Sequence, residues 1–144
     1  MPIRVIAESI VNPTEDETKV EQALRNVFPS AKIHRNSISE DTVTLKIQGE
    51  GFEFLSTLRN LIKQERIRTA ARSILFGSTR GKHLRFYLNK QAAFVSRISF
   101  CEPIGESPLG PISVDIETEN PDAIIDFLAA RPGQPFYPMA HRST

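Results

Sequence analysis

Phe54-Leu-Ser-Thr-Leu-Arg-Asn-Leu-Ile-Lys-Gln-Glu-Arg-Ile-Arg-Thr-Ala-Ala-Arg-Ser-Ile-Leu75 carries two apolar stripes that one straight helix cannot bury together. Phe54, Leu55, Leu58, Leu61 and Ile62 form the first stripe, and Ile67, Ala70, Ala71, Ile74 and Leu75 form the second. At about 100° per residue the stripes point to nearly opposite sides of a continuous helix. The stretch therefore reads as two helices with an elbow near Gln64–Arg66, both packed on one sheet. On either side the apolar period shortens to two. Val43, Leu45 and Ile47 alternate with polar residues upstream, and Leu84, Phe86 and Leu88 do so downstream, each giving a half-buried strand.

Working outward, Ile3 to Val11 is rich in β-branched residues and reads as a strand. Thr14 and Glu17 have the spacing of a capping box, with Glu15 and Asp16 placed in the first turn of the helix that follows. Val20, Ala23, Leu24, Val27 and Phe28 are its apolar face, and Pro29 stops it. Residues 31–35 give a strand that turns over Asn36 to Asp41 into the Val43 strand. Gly49-Glu50-Gly51 breaks the chain. After the Gly77 to Gly81 turn and the Leu84 strand, Asn89-Lys90-Gln91 interrupts, and Phe94 to Phe100 reads as a further strand. A loop from Pro103 to Pro111 precedes the strand carrying Ile112, Val114 and Ile116. Asn120 then caps a final helix with Pro121 at its first position. The order β-α-β-β-α-α-β-β-β-α implies an α+β domain, a mostly antiparallel sheet with helices on one face. The domain spans residues 1–133 and the tail residues 134–144.

Charge is the second informative feature. The 144 residues have a net charge of +1, yet the distribution is uneven. Arg59, Lys63, Arg66, Arg68, Arg72, Arg80, Lys82, Arg85, Lys90 and Arg97 fall between residues 59 and 97 with one acid, Glu65, a net of +9. The remaining 8 bases face 16 acids, a net of −8. A split of this kind points to a localised positive field and a polyanionic partner. Tyr87 is the one expected exposed aromatic in this stretch, which is thin for a single-strand stacking platform. Shape-based recognition of a duplex through phosphates and 2′-hydroxyls fits better.

Enzymatic signatures are absent from the pattern. Gly77-Ser-Thr-Arg-Gly-Lys82 has three residues between its glycines where a phosphate-binding loop needs four, and His83 follows where a hydroxyl residue should bind magnesium. His34, His83 and His141 are far apart, and no pair among them and Cys101 has metal-ligand spacing. The alternating Asp115, Glu117 and Glu119, and the pair Asp122 and Asp126, read as solvated faces. No enzyme, cofactor, metal or small-molecule substrate is expected. The apolar, charged amino terminus is too short for a membrane span. With one cysteine and so no intrachain disulfide, it suggests a cytoplasmic protein.

Four segments occur in order: Asn12-Pro-Thr-Glu-Asp16 with Val27-Phe-Pro29, Gln64-Glu-Arg-Ile-Arg-Thr-Ala-Ala-Arg72, Leu88-Asn-Lys-Gln-Ala-Ala-Phe94, and Ser107-Pro-Leu-Gly-Pro-Ile112. Together they resemble a family of small archaeal RNA-binding proteins long left uncharacterised. The resemblance implies a fold similar to the large-subunit ribosomal protein that binds 5S rRNA, a homodimer, and binding of double-stranded RNA. It supplies no catalytic motif and no contact residues. Arg68 stands where the family pattern leads one to expect an acid, which makes this helix more basic.

The expectation is thus a non-catalytic binder of structured RNA, contacting it through Arg59, Lys63, Arg66, Arg68, Arg72, Arg80, Lys82, Arg85 and Lys90, with a role in RNA processing or ribosome-related assembly. Asn89 and Gln91 fit either an RNA contact or a buried hydrogen-bonding bend. The competing reading is a protein-interaction module docking a partner through the acidic remainder or the proline-rich loop.

Overall fold

The alternation along Ile3–Val11 becomes the central strand of a sheet, with Ile3, Val5, Ala7, Ser9 and Val11 buried and the residues between them turned outward. The structure, a computed structural model, describes residues 2–102 and 109–131. The elements are β1 (Ile3–Val11), α1 (Glu17–Val27), β2 (Ile33–Ser37), β3 (Val43–Glu50), α2 (Gly51–Phe54), α3 (Ser56–Gln64), α4 (Arg68–Gly77), β4 (Thr79–Arg80), β5 (His83–Leu88), α5 (Lys90–Phe94), β6 (Ile112–Thr118) and α6 (Pro121–Leu128). Six strands pair in the order β2-β3-β1-β6-β5-β4, every pair antiparallel. Register follows the apolar period: Ala7 stands opposite Ile47 on one side and Val114 on the other. The inward residues of these strands meet the buried faces of α1, α3, α4 and α6 in one core.

The elbow forms between α3 and α4. Glu65 closes α3, Arg66 adopts a left-handed φ of 60°, and Ile67 starts α4. The first apolar stripe is buried at Leu55, Leu58, Leu61 and Ile62. The second is only partly used: Ala71 and Leu75 are buried and Ile67 packs against the core, while Ala70 and Ile74 face outward.

Several expectations are corrected. The strand expected over Phe94 to Phe100 does not form. Residues 90–94 make the short helix α5, and the segment after it pairs with the sheet through an isolated Leu88–Phe100 bridge, with the Phe100 ring against Phe86 and Ile98 buried in the core. Asn89 caps the helix by accepting from the Ala92 N–H at 2.8 Å. Asn26 of α1 holds its far end by donating to the carbonyls of Ala93 and Phe94, each at 2.9 Å. A local cap and a tertiary clamp outweigh the β preference of the residues after Phe94. The cap of α1 is Asp16, not Thr14: its side chain accepts from the Thr18 N–H at 2.9 Å. Glu15 lies outside the helix and turns inward. The Gly49–Gly51 break is sharper than expected, since β3 runs through Glu50 and α2 begins at Gly51, whose φ of 83° suits a residue without Cβ. The Gly77–Gly81 turn contains the two-residue β4. Asn120 accepts from the Ala123 N–H and places Pro121 at the start of α6, as the sequence indicates. The expected tail lies outside the described residues.

Candidate nucleic-acid interface

Ten bases in one stretch of sequence do not make one patch in the fold. Lys63 lies on the last turn of α3, Arg66 in the elbow and Arg68 at the start of α4, within six residues of chain. Among the described residues none of these three makes an ion pair. Glu65 lies among them but is occupied. Arg97 grips its carboxylate through Nε at 3.0 Å and Nη2 at 2.9 Å, and the Ile98 N–H adds a bond at 3.3 Å. The Arg97 guanidinium holds the Glu65 carboxyl below its usual range, so it stays charged and paired.

The start of α4 strengthens this field. No side chain caps it and no acid lies in its first turn. The first amides of a helix lack intrahelical partners and carry the positive end of its dipole. Arg68 adds a like charge at that point. Every component favours an anion.

Arg80 lies at the other end of α4, where its Nη1 donates to the carbonyls of Gly77 (3.0 Å) and Thr79 (2.8 Å), leaving the rest of the guanidinium outward. The ten-residue helix α4, about 15 Å long, runs between Arg68 and the turn that carries Arg80. Between these ends α4 exposes Thr69, Ala70, Ser73, Ile74 and Phe76. Lys82, in the same turn as Arg80, pairs with Glu119 at 2.9 Å, which raises the lysine's pKa.

The other expected contacts fall elsewhere. Arg59 lies over the Phe127 ring, 5.1 Å from its centroid, and bonds Asn60 at 3.1 Å. Arg72 is only 13% exposed and braces α4 to α6, donating to Asp126 at 2.8 Å and to the Ala129 carbonyl at 3.0 Å. Asp126 is therefore not simply a solvated acid. Arg85 projects from the open face of the sheet onto Asp115 at 2.7 Å, and His83 bonds the same carboxylate at 3.1 Å. Burial opposes the charge of Asp115, but these bonds keep its carboxyl below the ordinary value.

Lys90 corrects the expectation most clearly. It is 3% exposed and cannot reach a polyanion. Its ammonium donates to the Ile10 carbonyl at 2.7 Å, the Leu109 carbonyl at 3.0 Å and both Glu15 oxygens at 3.0 and 3.2 Å. Asn89 is the cap of α5, so of its two readings the structural bend is the one observed.

Beside this buried pair lies a cleft of about 330 Å³ between α1 and α5, which sequence reasoning missed. Phe94 is 39% exposed there, and the Lys19 ammonium lies 5.9 Å from its ring centroid. With residue 94 expected in a strand, nothing in the sequence set it opposite α1. Among the described residues no group of three or more His, Cys, Asp or Glu side chains is arranged to hold a metal. No helix of the described residues is long and apolar enough to cross a membrane.

The described elements define an antiparallel α+β domain with a basic helix elbow, and comparison identifies its family. The chain belongs to the archaeal UPF0201 family: the family model, described as RNA binding, matches residues 4–118. It is 42% identical over 130 residues to the UPF0201 protein of Pyrobaculum calidifontis, covering 90% of each chain. It is 37% identical over 128 residues to that of Sulfolobus acidocaldarius, covering 89% and 88%. The fold matches the crystal structure of the UPF0201 protein from Methanococcus jannaschii with a TM-score of 0.79 at 30% identity, over 89% of this chain and 93% of that one. A DUF54 protein from Methanothermobacter thermautotrophicus shares the fold, with a TM-score of 0.62 at 24% identity over 89% and 99%.

Proposed function

We propose that this protein is a non-catalytic, cytoplasmic binder of double-stranded RNA, acting as a homodimer in RNA processing or ribosome-related assembly. The carrying observation is the elbow, where Lys63, Arg66 and Arg68 flank an uncapped helix start along the chain and Glu65 between them is held by Arg97. Phosphate oxygens are the ligand this arrangement favours most. Membership of a family described as RNA binding supports RNA as the polyanion.

The duplex preference rests on α4 as a ruler. The helix is about 15 Å long, with Arg68 at its start and Arg80 three residues past its end, and between them it exposes the small side chains Thr69, Ala70 and Ser73 beside Ile74 and Phe76. A fixed pair of cationic ends suits a rigid polyphosphate surface better than a flexible strand. The homodimer rests on the family resemblance, and light scattering after size-exclusion chromatography tests it.

The deciding experiment is a salt titration of binding by fluorescence anisotropy to a labelled RNA duplex, its single strand and the matching DNA duplex. Tight, salt-steep binding with the RNA duplex preferred is expected. Equal or absent binding of all three would sink the reading. Incubation of the RNA with and without divalent metal should leave it intact.

A further inference from the structure

The cleft between α1 and α5 has a chemistry distinct from the elbow. Its floor is the closed pair of Lys90 and Glu15, in which the ammonium protons are spent on the carboxylate and two carbonyls. That pair contributes no net charge to the cavity. Above it, Val20, Leu109 and the exposed Phe94 ring give an apolar surface. Thr14, Asp16, Lys19 and Gln91 line it with polar groups. Asp16 is held in place because one carboxylate oxygen accepts from the Thr18 N–H at 2.9 Å.

The cleft is also anchored to the basic elbow. Asn26 pins Phe94 to α1 through its carbonyl, at 2.9 Å. Three residues later, past the left-handed Ser96 with its φ of 60°, Arg97 is clamped on Glu65 of the elbow. Three residues of chain span at most roughly 10 Å. The proposed phosphate contacts at the elbow and the aromatic cleft are thus linked through one pinned turn of chain.

A phosphate would meet the Asp16 carboxylate in this cleft, and a purely apolar ligand would bury the polar rim. A planar heteroaromatic with N–H groups on its edge satisfies both surfaces, since aromatic side chains stack on bases and carboxylates accept from their amino groups. At about 330 Å³ the cleft is near the lower end of the range for small-ligand sites, suited to one ring system. We infer that it receives a single unpaired base of the bound RNA, stacked on Phe94, with its N–H edge bonded to Asp16 and Gln91. Lys19, displaced from the ring, meets that nucleotide's phosphate. The inference rests on the RNA-binding reading and narrows its target to a duplex carrying a bulged nucleotide.

Three RNA hairpins test it: fully paired, with one bulged guanosine, and with an abasic linker at the bulge. The abasic hairpin keeps the backbone distortion and removes the base. The bulged guanosine should bind about fivefold or more tighter than the abasic hairpin, the lower end of what stacking contributes. Phe94→Leu, which keeps the apolar filling, should bring these two RNAs to the same affinity. Asp16→Asn keeps a competent helix cap and loses the carboxylate, so it should weaken the guanosine preference even if Phe94→Leu misfolds. Equal affinity of guanosine and abasic hairpins for the unaltered protein, with paired RNA still bound, overturns the inference and leaves the RNA-binding reading standing. Failure to bind any of the three overturns both.

Discussion

An ammonium group has three protons, and at Lys90 all are committed to acceptors inside the protein. Glu15 meets it with a side chain only 8% exposed, against 4% for the lysine. Burial works against the Glu15 charge, yet the Asn12 backbone N–H, the Lys90 ammonium and the Asn12 amide together hold its carboxyl below the ordinary value of 4.5. Removing one partner strands the other, so Lys90→Ala should destabilise the fold by about 3–5 kcal/mol in urea unfolding. Replacing both, as in Glu15→Leu with Lys90→Met, should recover most of that loss, because an apolar pair requires no desolvated charge. The pH dependence follows from the lowered pKa. Glu15 contributes its stability fully above its unfolded pKa, near 4.5, and loses it as pH falls through the lower folded value. Thermal unfolding followed into acid should show this decline, and the double variant should flatten it. The lysine's role was not legible in the sequence. Glu15 lies 75 positions away, and Leu109, the third partner, is on a different loop. Yet three of the four segments that carry the family resemblance, those containing Glu15, Lys90 and Leu109, meet at this one nitrogen.

At the scale of elements, the sequence spoke most clearly where two patterns conflicted. Two apolar stripes on opposite sides required the break that Arg66 provides. The α5 helix was hidden for the opposite reason. Val95, Ile98 and Phe100 favour a strand locally, while the bonds that decide the matter come from Asn89 before the helix and from Asn26 on α1. The end of β3 shows how an element boundary is enforced by packing. Phe54 of α2 stacks on Phe28 at the end of α1, their centroids 5.2 Å apart, and lies directly over Gly49. A Cβ at Gly49 would run into the Phe54 ring. The ring cannot retreat without leaving Phe28, so Gly49→Ala should cost about 1–3 kcal/mol, read as a lower urea midpoint with an unchanged slope.

At the scale of the molecule, folding redistributes the charge that the chain concentrates. The acids outside the basic stretch come to four of its members: Asp126 to Arg72, Glu119 to Lys82, Asp115 to Arg85 and Glu15 to Lys90. Glu65, inside the stretch, goes to Arg97. A net of +9 along the chain therefore overstates the charge available to a partner, and Lys63, Arg66 and Arg68 at the elbow are among its members outside the ion pairs of the described residues. Linear charge counting located the stretch; it had no access to the pairings across the sheet and between α4 and α6. The consequence is a separation that binding can measure. Each phosphate contact removed should lower the slope of log affinity against log salt by about one. Arg66→Ala with Arg68→Ala should therefore lower it by about two and weaken duplex binding across sequences alike. Arg85→Ala, on the open sheet face and tied to Asp115, should leave the slope unchanged. Equal effects from the two variants would mean that the RNA reaches the open sheet face as well as the elbow.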